Sequence, residues 1–408
     1  MILFAHTGFS QQWVIYNSQN SPLKGTALEI IIDRANSKWM ATDQGLARFK
    51  NNVWTVWDTT NSPLTDNDLQ SIVKDKENNL WIATRNKGIF KFDGNNNWRI
   101  FYYTNIGFTL KAVNRLRVDE DNTVWVCSMT MGLLKHIQND KWKWYHIGNS
   151  GIPDNSVNDL KFEKNIKWVA TVNGGVGRFN DTSWTVYNYY NSPLESNWIM
   201  NIGIDADNNK WFCTTFGGVA KFNSNQNQWT IYTSTNSGLT YNNTSAIFID
   251  NFNTKWIGIQ GGGFVTYNDT TWNCLLAGNN TILDFKKDRY GNIWICTDGY
   301  LRVYNSTGVI GVNEIKENNP SGYQLFQNYP NPFNSVTQIK YAISKSSNVI
   351  LKVYNILGKE ISTLINQKQN SGNYQITFDA NNLPSGIYFY ELAINKTLRI
   401  VRKMILIK

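Results

Sequence analysis

Residues 184–229 read WTVYNYYNSPLESNWIMNIGIDADNNKWFCTTFGGVAKFNSNQNQW, and this stretch decides the fold. Trp184-Thr-Val-Tyr187 alternates as a short strand, and Asn191-Ser-Pro-Leu194 makes a turn. Ile199 to Asp205 is a second strand, and Asp205-Ala-Asp-Asn208 reverses the chain. Lys210-Trp-Phe-Cys-Thr214 is a third strand, and Gly217-Gly-Val-Ala-Lys-Phe222 leads into a fourth before Trp229 opens the next unit. Every segment is short, alternates with period two and is bounded by Gly, Asn, Pro or Ser. None has helical periodicity.

The same grammar runs outward in both directions. Trp13, Trp54, Trp98, Trp142, Trp184, Trp229 and Trp272 form one series, spaced by 41 to 45 residues. Trp39, Trp81, Trp125, Trp168, Trp211, Trp256 and Trp294 form a second between them. The two series hold fourteen of the seventeen tryptophans, so the 14% aromatic content is mainly a consequence of repetition. Four short strands in roughly 40–45 residues define a propeller blade, which cannot bury both faces alone and must stack with neighbours. The third-strand series predicts an all-β chain with a seven-bladed β-propeller over residues 12–306. The outer-strand motif Trp13-Val-Ile-Tyr16 precedes any inner strand and is expected to complete the last blade, with residues 307–310 as the competing closing strand.

Composition narrows the function classes. Hydrophobic residues at 41% and charged residues at 17% suit a globular core. No apolar run approaches the ~18 residues of a spanning helix. Four cysteines in 408 residues make no disulfide framework. The net charge of +9 suggests nucleic acid until it is divided. Residues 322–408 carry ten Lys and Arg against three Asp and Glu, so +7 lies there and only +2 in the large N-terminal part. Lys396, Arg399, Arg402 and Lys403 alternate with apolar residues, which reads as a solvated sheet face and not a nucleic-acid surface.

The recurring order Asn-Ser-Pro-Leu, an apolar strand ending in Asp, Asn-x-Lys-Trp-Ile-Ala-Thr and Gly-Gly-Val resembles the two-component regulator propeller repeat. Residues 61–92, 149–179 and 191–222 carry it best, and it covers roughly residues 12–306. In that family the propeller often serves as the periplasmic sensor of hybrid histidine kinases. With no kinase motif here, the resemblance implies the fold and a general expectation of ligand binding, not sensor-kinase activity. The last blade departs from the pattern, with only 22 residues from Trp272 to Trp294.

Residues 307–321 read as a linker, and a new all-β rhythm follows, with strands expected at 336–343, 348–356, 373–379, 386–394 and 396–407 in a small Ig-like β-sandwich. Gln327-Asn-Tyr-Pro-Asn-Pro-Phe-Asn334, Val353-Tyr-Asn-Ile-Leu-Gly-Lys-Glu360, Asn382-Leu-Pro-Ser-Gly-Ile-Tyr-Phe-Tyr390 and Arg402-Lys-Met-Ile-Leu-Ile-Lys408 follow in order. Residues 322–408 thereby resemble the type A C-terminal sorting domain of the type IX (Por) secretion system of Bacteroidetes-like bacteria. The resemblance implies the secretion machinery as partner, export through the periplasm to the outer-membrane surface or the medium, and removal of the domain. The motif positions it singles out are Asn328, Tyr329, Pro330, Asn331, Pro332, Phe333, Gly358, Gly386, Tyr388 and Lys403. The alternative is an ordinary Ig-like adhesion or spacer domain. Residues 1–11 read either as the end of a signal peptide or as an extra edge strand.

No enzyme site assembles in the sequence. His6, His136 and His146 share no motif, and His136 stands where other blades have Phe49 or Phe179. Cys127, Cys213 and Cys296 replace Ala41, Ala83 and Ala170 of other blades and read as buried thiols. Asp75-Lys-Glu-Asn78, Asp119-Glu-Asp-Asn122 and Asp205-Ala-Asp-Asn208 look like fragments of calcium loops. Asp33, Asp250 and Asp288 recur there without the second carboxylate, so a turn-bonding aspartate with Asn or Gly in the left-handed region explains all of them. No cofactor or metal is expected, with calcium the weaker alternative.

Binding rests on geometry. A propeller gathers its outer-to-inner and third-to-fourth-strand connections on one face, around a central opening. The latter read Asp43-Gln44, Arg85-Asn-Lys87, Met129-Thr-Met131, Val172-Asn173, Thr215-Phe216, Ile259-Gln260 and Asp298, and they differ while the strands repeat. Trp198 belongs to neither tryptophan series, and its slot before the inner strand holds Asp68, Ala112, Ser156 and Asn243 elsewhere. The expected ligand-binding residues are Asp68, Arg85, Lys87, Asn173, Trp198, Phe216, Gln260 and Asp298. Three classes stay open: a secreted or surface binding module for a glycan or cell-wall fragment, a protein-interaction scaffold, and an extracellular lyase or hydrolase, for which no base, nucleophile or metal set is found.

Overall fold

The computed structural model describes residues 12–306 and 323–408, apart from residues 86, 102–111, 138–140, 277–279, 329, 371 and 396–397. The expectations placed on residues 1–11, on the linker at 307–321, on a closing strand at 307–310 and on Tyr329 lie outside the described residues. Among those described, every regular element is a strand. The chain divides into two compact units, Met1–Val312 and Asn313–Lys408.

In the first unit the described residues form seven four-stranded antiparallel sheets. Their innermost strands are Ala27–Ile32, Leu69–Lys74, Val113–Val118, Val157–Glu163, Ile199–Ile204, Thr244–Ile249 and Ile282–Lys287, and the sheets are numbered here as blades 1 to 7 in that order. Each innermost strand packs beside the next, and that of blade 7 returns to that of blade 1. Closure uses the early strand: Gln12–Tyr16 pairs with Tyr300–Asn305 as the outer edge of blade 7, with Trp13 opposite Tyr304.

The repeated residues form the joints between blades. Trp211, fully buried, packs against Ile257 and Val265 of the following blade, and its ring stacks on Tyr232 at 5.6 Å. An indole fills the wedge that two twisted sheets leave between them. Its N–H cannot be left unpaired there. Trp39, Trp81, Trp125, Trp211, Trp256 and Trp294 donate from Nε1 to Asp33, Asp75, Asp119, Asp205, Asp250 and Asp288, at 2.8 to 3.3 Å. In blade 4 the turn is one residue shorter, and Trp168 donates to Glu163 at 2.8 Å. The same carboxylates often meet a lysine of a neighbouring blade: Lys38 lies 3.1 Å from Asp288, and Lys210 2.8 Å from Glu163. This accounts for the Lys-Trp pair of the motif. Asn36, Asn78, Asn122, Asn208 and Asn253 take positive φ in these turns, with Gly291 in blade 7 and Lys164 in blade 4.

The Asn-Ser-Pro-Leu turn has an equally local cause. Asn191 Oδ1 accepts from the Asn188 amide at 2.8 Å, its Nδ2 donates to the Val186 carbonyl at 2.9 Å, and Ser192 Oγ donates to the Asn188 carbonyl at 2.7 Å. Leu194 is then buried against Ile199 and Trp168. Asn20, Asn61, Asn149 and Asn236 repeat the cap in other connections.

The second unit is a β-sandwich of a three-stranded sheet, built on Val336–Ile343 and Gly372–Asp379, and a four-stranded sheet. The latter runs in the order Glu360–Gln369, Ser347–Asn355, Gly386–Ile394 and Leu398–Leu406. Glu360–Gln369 is a correction, because the sequence expectation leaves that stretch without a strand. As an edge strand it buries little, so its apolar alternation is weak. Leu351, Val353, Tyr390, Leu392 and Ile339 form the core of this unit, separate from those of the blades.

Candidate functional site

The two ends of the ring differ. At the upper rim, where the innermost strands begin, one backbone hydrogen bond recurs in every blade. The residue before the innermost strand accepts from the residue that ends or follows the second: Thr26 from Asp43, Asp68 from Arg85, Ala112 from Met129, Ser156 from Val172, Trp198 from Thr215, Asn243 from Gln260, and Thr281 from Asp298. The rim positions that vary are thus fixed by main-chain contacts that do not, which leaves their side chains free to differ.

The structure distributes the eight expected ligand-binding residues around this rim. Asp68 and Arg85 pair in blade 2 at 2.8 Å, half exposed, with Lys87 exposed on the same loop. Asn173 in blade 4 and Asp298 in blade 7 are exposed and stand apart from that pair along the ring. Trp198, Phe216 and Gln260 come together in blades 5 and 6. Trp198 is 41% exposed and Phe216 70%, whereas Trp211 of the same blade is 0% exposed. The Phe216 amide donates to Asn243 Oδ1 at 2.7 Å, and the Gln260 amide to the Asn243 carbonyl at 2.8 Å. Phe216 has φ of +70°, and its counterpart in blade 6 is Gly261 at +66°. A bulky residue in the left-handed region is strained, so a solvent-facing phenylalanine where glycine suffices has no packing reason.

Sequence reasoning missed two participants. Tyr241, 59% exposed, lies over Gly262, where an added Cβ would stand 2.7 Å from its ring. Asn243 joins the two loops. Tyr241 stands where Asp66, Asp154 and Ser196 cap the turn in other blades, so its departure from the repeat is the signal for it, whereas only adjacency reveals Asn243.

Inside the ring, a layer of ions links the innermost strands of blades 1, 3, 4 and 7. Arg115 Nη1 donates to Glu29 Oε1 at 3.1 Å and its Nη2 to the Leu283 carbonyl at 3.4 Å, so one side chain of blade 3 reaches blades 1 and 7. Arg117 donates to Glu29 at 2.7 Å and to Asp159 at 2.5 Å. Burial pushes the Glu29 carboxyl upward, but Arg117 and Arg115 outweigh it and hold it down at about 2. The position of Glu29 also clasps the ring: Glu29 accepts from Ile72 and Ser71, Ser71 from Leu116, Asp159 from Ile202, Asn201 from Ile247, and Asp284 from Ile30, each across a blade boundary. Below this layer lies a cavity of about 620 Å³, and none of the eight expected ligand-binding residues lines it.

Cys127, Cys213 and Cys296 are free and buried, and burial pushes the Cys213 thiol up to about 12, which makes it inert. His136 packs among Trp81, Phe101 and Trp142.

In the second unit the motif residues are mainly framework. Asn328 is buried, its amide donating to Tyr390 Oη at 2.7 Å and its Nδ2 to Thr337 Oγ1 at 3.0 Å. Asn331 Oδ1 accepts from the Ile405 amide at 2.7 Å, and buried Phe333 exchanges main-chain bonds with Ile405 and Ile407. Tyr388 is buried with its hydroxyl on the Pro384 carbonyl, and Gly386 pairs with Leu406. Pro330 and Pro332 are exposed beside them, Gly358 turns the chain at φ of +75°, and Lys403 is exposed on the last strand.

The comparisons agree with both units. Residues 327–408 match the secretion system C-terminal sorting domain, and residues 63–86 and 276–299 match the two component regulator propeller. The chain is therefore a propeller-type protein with a sorting tail, directed by type IX secretion to the cell surface or the extracellular space. No curated protein matches it in sequence. Among solved structures it is similar to the extracellular domain of BT3049 of B. thetaiotaomicron, assigned to a hybrid two component system, at 18% identity and TM-score 0.59, covering 97% of this chain and 57% of that one. It is similar to PorZ, a surface component of the type-IX secretion system of Porphyromonas gingivalis, at 15% identity and TM-score 0.56, covering 95% and 60%. The virginiamycin B lyase of Staphylococcus aureus follows at 11% identity and TM-score 0.58, covering 72% and 99%. The chain spans less than two thirds of the first two, and all three likenesses concern the fold.

Proposed function

We propose that the exported propeller is a non-catalytic binding module whose ligand is a glycan or cell-wall fragment, held at the upper rim of blades 5 and 6. The observation that carries this reading is the set of exposed rings Trp198, Phe216 and Tyr241 on adjoining loops, with Phe216 strained in place where glycine would serve. Flat aromatic faces take the C–H faces of sugars, and the neighbouring side chains of Gln260 and Glu195 offer hydrogen bonds to hydroxyls. Lyase chemistry has no support in the residues of this rim.

A glycan panel titrated into the full chain by calorimetry tests the reading. One or more oligosaccharides bind, and Trp198→Ala or Phe216→Ala weakens that binding at least tenfold. Binding that both variants leave intact defeats it. For the export half, a chain ending before residue 322 is expected to stay, folded, in the periplasm of a type IX-competent host. Undiminished surface or medium levels of the truncated protein would count against the sorting role.

A further inference from the structure

The cavity below the ion layer has a different character from the rim. It is lined by Lys74, Arg117, Lys161, Lys286 and Lys287 against only Glu29 and Asp284, with walls of isoleucine, valine and phenylalanine. The acids are already engaged: Glu29 with Arg115 and Arg117, Asp284 with Lys286 at 3.1 Å. Asp159, just above, serves Arg117. Lys287 lies 3.4 Å from Asp250. Lys161 has no hydrogen bond or ion pair among the described residues, although it lines the cavity.

The scaffold does not ask for lysine there. The equivalent positions of the other innermost strands hold Ile31, Val73, Arg117, Gly203, Phe248 and Lys286. At this level cations thus stand on blades 3, 4 and 7, with Ile31 and Val73 on blades 1 and 2 and Phe248 on blade 6 completing the lining. An ammonium held in such a place with no ion pair of its own, its nearest acids being engaged by Arg117 and Lys286, is costly unless something supplies a partner. Burial pushes the Lys161 ammonium down to about 8, with Asp159 and, less, Asp284 opposing it and Arg117 and Lys286 adding to the effect.

We propose that this lower cavity binds a small organic anion, a carboxylate with an apolar body, with Lys161 as its charged anchor and the adjoining Ile31, Ile32, Ile72 and Val73 of blades 1 and 2 as its apolar wall. A space of about 620 Å³ is ample for a molecule of that kind. The apolar wall favours an organic carboxylate over an inorganic oxyanion, which would leave that wall to water. The site is independent of the rim, so either reading can fail alone.

Calorimetry on the full chain with benzoate and octanoate, against benzamide, octanamide and inorganic phosphate, tests the proposal. At least one carboxylate is expected to bind tenfold or more tighter than its amide, and tighter than phosphate. Lys161→Met removes a charge without removing a partner, so it should fold with an unchanged or raised Tm and lose that binding at least tenfold. Lys161→Arg should recover part of it, and Trp198→Ala should leave it unchanged. If Lys161→Met fails to fold, Lys161→Gln replaces it, with the same expectation. Equal binding of acid and amide, binding of phosphate alone, or carboxylate affinity unchanged in the folded Lys161 variant would each overturn the proposal.

Discussion

The upper rim and the lower turns of the ring are built from the same seven repeats, yet they obey opposite rules. At the lower turns nearly every blade repeats the same chemistry, a carboxylate accepting from the indole six residues on. At the rim the main-chain bond and the Asn67, Asn155, Asn197 and Asn242 caps repeat, while the side chains just before each innermost strand and in the third-to-fourth-strand loops differ. The contrast shows which positions the architecture consumes. A turn carboxylate that accepts from a buried indole, and in several blades also meets a lysine, is occupied by the joint between blades. A rim residue held by its backbone alone keeps its side chain for other uses.

Substitutions can break or sharpen this contrast. The largest effect is expected at the joints: Trp211→Ala should lose about 3–5 kcal/mol of stability, since it empties the space between two blades. A similar loss, about 3 kcal/mol or more, is expected for Glu29→Ala, which leaves buried arginines short of an acid. Urea unfolding of the full chain reads both through the transition of the propeller. Asp205→Ala should cost less, about 1–3 kcal/mol, because it strands the Trp211 N–H while the ring stays packed. Trp198→Ala on the rim should cost under about 1 kcal/mol. Comparable losses for Trp198→Ala and Trp211→Ala would erase the distinction and make Trp198 a packing residue.

Acid should act on the channel. The Glu29 carboxyl is held at about 2 in the folded ring against an ordinary 4.5. The stability it contributes is complete above 4.5 and is lost as pH falls through the folded value. Lys161 works the other way, because its ammonium is depressed to about 8 from 10.5. Its cost is fully present below pH 8 and is relieved as pH rises toward 10.5, since the unfolded chain then holds the extra proton. Urea midpoints of the parent and Glu29→Gln between pH 2 and 5 check the first claim, where the variant should show the shallower slope. The Lys161→Met midpoint between pH 8 and 10.5 checks the second, with the parent gaining and the variant not.

Much of this was legible beforehand for local reasons. The Trp period, the Asn-Ser-Pro-Leu cap and the turn aspartate are satisfied within a few residues of one another, so they leave a pattern in a single stretch of chain. The indole–carboxylate bond was missed in that pattern, although the six-residue spacing from Asp75 to Trp81 was its signal. The strand Glu360–Gln369 was missed because an edge strand needs so little apolar alternation. The rim slot of Trp198 was readable as a departure from the repeat. Its meeting with Phe216, Asn243 and Tyr241 was not.

By itself the sequence determined the blades and the sorting tail, because each is a repeat or an ordered motif whose geometry is set locally. The pairing of Gln12–Tyr16 with Tyr300–Asn305 chose between two closing strands that the sequence left open. The tertiary structure alone decided the channel. Glu29, Arg115, Arg117, Asp159 and Asp284 belong to four blades, and Glu29 and Arg115 are 86 residues apart. Nothing within one blade says which of these charges will meet, since each strand needs only a side chain at that position. Ring closure brings the equivalent positions onto one axis, and there the low dielectric forces every buried charge to find a partner or go without.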